Sequence, residues 1–443
     1  MKLLKLRMAH VLLVLILILL SRPVFAGQTL MTLDDCVAAG LKNNPSLEAA
    51  KDSVTAAGYG IKSARADFLP SLSSGYSIST IISERSEGPT EADYLDQDIH
   101  TFNIKLTQIL FAGFRTLNSY QKAEAREKVA IAEKDLEQLN LIYKIETTFY
   151  KLMKALQDVK MMNESINRLQ ENIKAAESFF EEELVPYADL LQAKVDLSDA
   201  KERLGIAENN VNRERVVLFS LMGRSMEPEI EFSGDFYDAV SPEVFDYDTL
   251  MALALKQRPD IKSLEFQREM LRKDSAAAAG GYLPVIQLDL SYIDQNRDYD
   301  KHAQSLTGSY DRDQKNAYWS AGIYATWKMF DGGRSWYDKK RLDTEARKID
   351  SLIIEAEGLI STGLRKAMFS LSEAEQRFLS TGETLKLSEE YYANEEHRLK
   401  AGVSTIPALL KAGERLTQVK GNRTNAILDY HLAKAELKII TGD

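Results

Sequence analysis

Leu41-Lys42-Asn43-Asn44-Pro45, with Leu69-Pro70 beyond it, returns later in the chain as Leu255-Lys256-Gln257-Arg258-Pro259, followed by Leu283-Pro284. Corresponding positions lie 214 residues apart. Further on, Phe111-Ala112-Gly113-Phe114-Arg115 is answered by Phe330-Asp331-Gly332-Gly333-Arg334, now 219 residues apart, and Ala193 with Ala412 and Gly223 with Gly442 keep that spacing. A period near 200 residues is far too long for a solenoid unit, so the chain is a duplicated half. The register slips once, between residues 70 and 111. The stretch from Phe111 to Gly223 therefore keeps one length in both copies, the mark of a rigid element whose ends must land at set heights.

Working outward from the quoted motif, Asn44 reads as the cap of a helix that Pro45 opens, predicted over 45–68. Its copy covers 259–282, with Arg258 at the cap, a weaker choice. A short helix, Thr32–Lys42, precedes the first, with Cys36 as a small buried side chain on it. After Pro70 the period changes from helical to two. Leu72, Tyr76, Ile78 and Ile82 share one parity against serines on the other, and Phe102, Ile104, Leu106 and Leu110 repeat the alternation. Two strands over 71–83 and 98–110 follow, joined by a polar loop, Ser83–Gln97. The second copy gives strands over 285–293 and 316–330 around a longer loop, Asp294–Lys315, whose length accounts for the slip. Long proline-free helices are predicted over 112–182 and 334–400, with apolar residues in 3–4 spacing as in a coiled coil: Ile142, Ile145, Phe149, Leu152, then Ile166, Leu169, Ile173. Breaks at Leu184-Val185-Pro186-Tyr187 and Ala401-Gly402-Val403-Ser404 lead into helices over 187–222 and 406–440. The repeats thus span 27–223 and 249–443, and 224–248 reads as a loosely structured connector.

The formal net charge of −10 and the absence of a basic stripe argue against nucleic acid as a partner. Lys2, Lys5 and Arg7, the apolar run Val11–Leu20 and then Val24-Phe25-Ala26 read as a secretory signal peptide over residues 1–26; the competing reading is an N-terminal anchor helix. The single cysteine excludes an internal disulfide. The histidines lack metal-ligand spacing, no phosphate loop follows any glycine pair, and neither enzyme chemistry nor a cofactor is expected.

No later stretch reaches about 20 unbroken apolar residues, so any membrane crossing must use strands. The alternating strands suit either a half-buried soluble sheet or a barrel wall, and export without a helical span points to the barrel. Trp319 and Trp327 fall on the apolar face, where interfacial aromatics sit. A sheet in lipid cannot keep open edges, and four strands are too few to close, so the chain must oligomerise. Two copies would give about 8 strands around a filled interior, three about 12 with room for a lumen.

In this order, and doubled, the motifs Leu41–Pro45, Leu69-Pro70, Phe330–Gly333 and Ala401-Gly402-Val403 leading to Leu409-Leu410-Lys411-Ala412 resemble the TolC-like outer-membrane efflux proteins over essentially all of the chain past residue 26. The resemblance implies a mainly α fold with a membrane β-barrel. Each repeat would be a β-hairpin plus long coiled-coil helices, and a homotrimer would form a 12-stranded barrel continuous with a 12-helix periplasmic tunnel. It implies stacked helix pairs, such as those starting at Pro45 and Tyr187. It implies a passive exit duct in outer-membrane lipid, serving an efflux or type I secretion system through a periplasmic adaptor and an inner-membrane transporter of RND or ABC type. The tips Leu184, Val185, Pro186, Tyr187 and Gly402, Val403, Ser404, Thr405 would meet the adaptor. Two departures stand out. Glu183 replaces the usual tip glycine in the first copy, which predicts a differently shaped turn, and Ala408 and Lys411 stand where relatives carry acids. Tyr187, Asp189 and Lys411 are the candidate gate, with Asp189 equally readable as a helix cap. The rival readings are a periplasmic adaptor and a structural coiled-coil protein without a pore.

Overall fold

A computed structural model describes residues 29–86, 92–226, 230–234, 236–237, 245–299 and 314–442. The expected signal peptide lies outside them. The first repeat comprises β1 (Thr29–Met31), α1 (Leu33–Asn43), α2 (Pro45–Ala66), β2 (Ser71–Ser86), β3 (Ala92–Ala112), α3 (Arg115–Glu181) and α4 (Tyr187–Leu221). After β4 (Ile230–Phe232), the second repeat comprises α5 (Tyr247–Gln257), α6 (Pro259–Ala279), β5 (Val285–Tyr299), β6 (Gln314–Thr326), α7 (Arg334–Lys400) and α8 (Ile406–Thr441).

The duplication is visible in the backbone. α3 and α7 are each 67 residues long, about 100 Å at 1.5 Å per residue. Every described residue with a left-handed φ has its counterpart 219 positions away: Gly113 with Gly332, Phe114 with Gly333, Glu183 with Gly402, Gly223 with Gly442. These are the helix starts and ends. The constant length read from the sequence is the distance between them.

Four helical columns lie side by side. α3 carries α2 and α4 on one flank and α6 and α8 on the other, and α7 packs against α6 and α8. α2 and α4 abut end to end. Asn44 Oδ1 accepts from the amides of Ser46 (2.9 Å) and Leu47 (3.2 Å), while its Nδ2 donates to the Leu221 carbonyl at 2.9 Å. Gly223 closes the joint, since a β-carbon there would strike the Asn43 carbonyl. In the second copy Arg258 serves the opposite helix. Its guanidinium donates to the Ile439 and Ile440 carbonyls at the end of α8 and is clamped by Asp260 at 2.9 and 2.6 Å. A cation at a helix C-terminus is well placed electrostatically. Arg258 is thus less a poor cap for α6 than a tie to α8.

The largest core lies at this joint, where Ile145, Phe149 and Leu152 of α3 meet Cys36, Leu218, Phe219 and Met222. The connector joins in. β4 pairs in parallel with β1 (Thr29 opposite Ile230), and Phe236 is buried in the same core. Those parts of 224–248 are therefore structured, which the acidic, proline-containing sequence did not suggest. His431 stacks on Tyr150 with ring centroids 3.9 Å apart, and its Nε2 lies 3.3 Å from the Phe236 carbonyl.

The four long strands form one antiparallel sheet in the order β2-β3-β5-β6. They run further than alternation predicted. Ser83 pairs with Leu95 and Ser86 with Ala92, so the hairpin ladder continues through most of the expected loop; Asp294–Tyr299 likewise stay paired. Polar residues continue a strand here because the partner strand, not a hydrophobic face, holds the backbone. The expected strand 316–330 stops at Thr326; Trp327 leaves the sheet and its indole donates to the Tyr282 carbonyl at 3.1 Å. A bulge between Ile109 and Phe111 leaves Leu110 out of register and puts Phe111, not Leu110, on the face of Ile286.

Candidate functional site: hairpin tips and a two-faced sheet

The register decides the faces of the sheet. One row runs Leu72, Leu106, Leu290, Ala321, and the next, on the other face, runs Ser73, Lys105, Ser291, Ser320. Repeating this up the strands gives an apolar face with Tyr76, Ile104, Tyr292, Trp319 and Ile323, and a face of Ser, Thr, Asn and Gln. The apolar face is bare; Trp319 is 80% exposed. Within the sheet's interior-type polar face, Lys105 Nζ reaches Asp289 Oδ2 at 2.8 Å. Among the described residues no helix is long and apolar enough to cross a membrane.

At the far end, the two helical hairpins turn in the same way. In the first tip the Glu183 amide donates to the Phe180 carbonyl at 2.9 Å and the Leu184 amide to Phe179 at 2.8 Å. In the second the Gly402 amide donates to Leu399 and the Val403 amide to Arg398, both at 2.9 Å. This is a Schellman closure in each case, with the left-handed residue at φ 59° for Glu183 and 73° for Gly402. The different shape expected for the first turn is therefore wrong: hydrogen bonding and packing impose the glycine geometry on a glutamate. Pro186 and Thr405 hold the cap positions of α4 and α8, and Thr405 Oγ1 accepts from the Ala408 amide at 3.4 Å.

Both tips share one apolar cluster of Ile173, Ala176, Leu190, Leu399, Ile406 and Leu409, with Val185 packed against it. Leu184 and Val403 point away from it and are 65% and 63% exposed. Tyr187 lies against Phe180, ring centroids 5.4 Å apart. Asp189 is in the first turn of α4, half-buried, and Lys411 is exposed on α8.

The copies differ inside the turn. Glu395 is 5% exposed, its Oε2 accepting from Ser404 Oγ at 2.6 Å and its Oε1 from Arg398 at 2.8 Å. The same positions in the first copy are Ala176, Phe179 and Val185. One seam is apolar and the other is held by a buried carboxylate. Sequence reasoning passed over Glu395, though aligning the copies would have found it as an acid opposite an alanine. Between α3, α4 and α8 lies a cleft of about 280 Å³ lined by Arg168, Asn172, Asp196, Asp199 and Glu414. Burial pulls the Arg168 guanidinium below its ordinary pKa, against the Tyr392 and Glu164 charges.

A mainly helical duplicated fold, a sheet with one lipid-compatible face and paired tips about a helix-length away define an outer-membrane duct. The Outer membrane efflux protein family model matches residues 38–224 and 250–443, the two repeats, and the chain belongs to that family. It is an outer-membrane efflux channel of the TolC type, and not an enzyme. It is 20% identical over 438 residues to the outer membrane protein TolC of Vibrio cholerae serotype O1, covering 95% of this chain and 94% of that protein. It is 24% identical over 277 residues to the outer membrane efflux protein BepC of Brucella suis, covering 62% of this chain and 58% of that one. Among solved structures, CusC superposes with TM-score 0.76 at 14% identity, covering 93% and 92% of the two chains. The Campylobacter jejuni CmeC outer membrane channel gives 0.73 at 17%, covering 93% and 85%.

Proposed function

We propose that three copies close into one passive duct, a 12-stranded barrel continuing into a 12-column helical tunnel. The observation that carries this is an unfinished internal interface. Glu164 of α3 and Lys420 of α8 pair at 2.8 Å. The copies of these residues, Glu383 on α7 and Lys201 on α4, are both exposed. The apolar neighbours behave alike: Ile406 is 0% exposed and its copy Tyr187 56%, Leu410 6% and its copy Leu191 45%. α7 of one protomer meets α4 of the next as α3 meets α8 within a chain. The sheet follows the same rule. β3 pairs with β5 inside the chain, so β6 pairs with β2 of the next subunit, which removes the open edges that lipid forbids. Two copies would supply about 8 strands and a filled interior; three leave a lumen.

On this reading Tyr187 seals the subunit seam beside the entrance, and Asp189 and Lys411 belong to the entrance itself. Leu184, Val185, Pro186, Gly402, Val403, Ser404 and Thr405 dock the adaptor, chiefly through the bare side chains of Leu184 and Val403, and an inner-membrane pump of RND or ABC type drives the cargo. The test is a Ser198→Cys, Thr384→Cys double variant, because the hydroxyls of Thr417 and Ser165, their copies, lie 3.3 Å apart, a contact between short side chains that a disulfide can span. Oxidation in membranes should give a ladder that ends at three chains. A ladder ending at two, or none, would overturn the arrangement.

A further inference from the structure

The polar face of the sheet carries few charges. Across the band whose other face is Leu288, Leu290 and Tyr292, its described side chains include Ser71, Ser73 and Ser77 on β2 and Thr101, Asn103 and Thr107 on β3. Gln287 and Ser291 on β5 and Tyr318, Ser320 and Tyr324 on β6 continue it. Lys105 and Asp289 are the charged residues among the described positions of that band, and they are bonded to each other at 2.8 Å. Asp289 is held in place from two sides: Lys105 Nζ and Gln287 Nε2 (3.1 Å) both reach Oδ2. It is 9% exposed, with Thr107 directly opposite it on β3. Arg297, the next charge on this face, lies beyond the band, where its Nε donates to Gln295 Oε1 at 3.2 Å.

We propose that the barrel lumen is charge-balanced by design of this pair. Asp289 cancels Lys105 three times around the pore, so the outer-membrane passage admits polar solutes of either charge. Selection among them then falls to the helical tips and the pump. The proposal rests on the closed-barrel reading, which makes the polar face the lumen wall. The physical reason is electrostatic. A carboxylate and an ammonium in contact present a dipole whose field dies within a few ångströms of water, whereas three unpaired like charges facing one lumen add up and concentrate counter-ions.

Full-length trimer in planar bilayers, with a potassium chloride gradient at low ionic strength, provides the test. Asp289→Asn, which leaves three unmatched ammonium groups, should raise the chloride-to-potassium permeability ratio about threefold. Lys105→Gln should lower it by about the same factor. The double variant should return to the wild-type ratio, and each single effect should shrink as salt rises. Either single variant is informative without the other. Wild-type permeability ratios in both single variants, or shifts of the same sign, would overturn the proposal while leaving the channel intact. A wild-type protein that conducts nothing would instead overturn the duct reading on which it rests.

Discussion

Replacing Glu183 by glycine should tighten the first tip, and replacing Gly402 by glutamate should loosen the second. Both residues sit in the left-handed region, at φ 59° and 73°. A side chain there costs roughly 1–2 kcal/mol through the clash of its β-carbon with the backbone. Glycine gives back roughly 0.5–1 kcal/mol, because it has more freedom to lose on ordering. The net expected for Glu183→Gly is a gain of about 0.5–1 kcal/mol in local stability, and for Gly402→Glu a loss of similar size. Nothing lies within 4 Å of a β-carbon built at Gly402, so the penalty there is conformational and not steric crowding. The amides to watch are those of Leu184 and Val403, which close the two turns onto Phe179 and Arg398. Hydrogen exchange on the full-length protein should show Leu184 protected about 2- to 5-fold more in Glu183→Gly, and Val403 protected less by a similar factor in Gly402→Glu. Unchanged exchange at both amides, or faster exchange at Leu184 in the glycine variant, would refute the claim that the fold forces a glutamate into glycine geometry.

Glu395→Ala should destabilise the second tip by about 1.5–3 kcal/mol, because the Ser404 hydroxyl and the Arg398 guanidinium lose a buried carboxylate; limited proteolysis at the tip would report it. Transplanting the first-copy seam (Glu395→Ala, Arg398→Phe, Ser404→Val) should recover most of that loss, and failure to recover would mean the clamp is not an alternative to apolar packing. At the α6–α8 joint, burial pushes the Asp260 carboxyl up, but the hydrogen bonds and charge of Arg258 outweigh it and hold the pKa below the usual value. A lowered folded pKa means its stabilisation is present above the ordinary carboxylate range and is lost as pH falls through the lowered value. Acid unfolding of wild type should therefore be steeper below about pH 4 than that of Asp260→Asn, read by circular dichroism.

Much of this molecule can be read from residues alone. The repeat offsets, the proline-opened helices and the parity of Leu72–Ile82 each depend on local chemistry: a missing amide hydrogen, a 3.6-residue turn, a two-residue pleat. For the same reason the helix breaks between Glu181 and Tyr187 and between Lys400 and Ile406 are legible in the chain. What could not be read was decided by neighbours distant in sequence. α3 buries Glu146, Thr147 and Thr148 as well as Ile145 and Phe149, because helices flank it on two sides, and a single apolar stripe cannot announce that. Strand pairing carried Ser83–Ser86 and Asp294–Tyr299 past the end of their alternation, since a ladder needs only a partner backbone.

The sequence by itself determined that two similar halves exist, that each holds a hairpin and long helices of fixed length, and that four strands per chain leave edges to be covered. Only the tertiary structure decided how the halves differ in use: Arg258 holding the end of α8 where Asn44 both caps α2 and holds the end of α4, Glu183 bent to the conformation of Gly402, Glu395 buried where Ala176 lies. The reason is physical. Periodicity and capping act over a few residues and are written in each copy separately, whereas the conformation a residue accepts and the partner it finds depend on contacts that exist only after the two copies lie side by side.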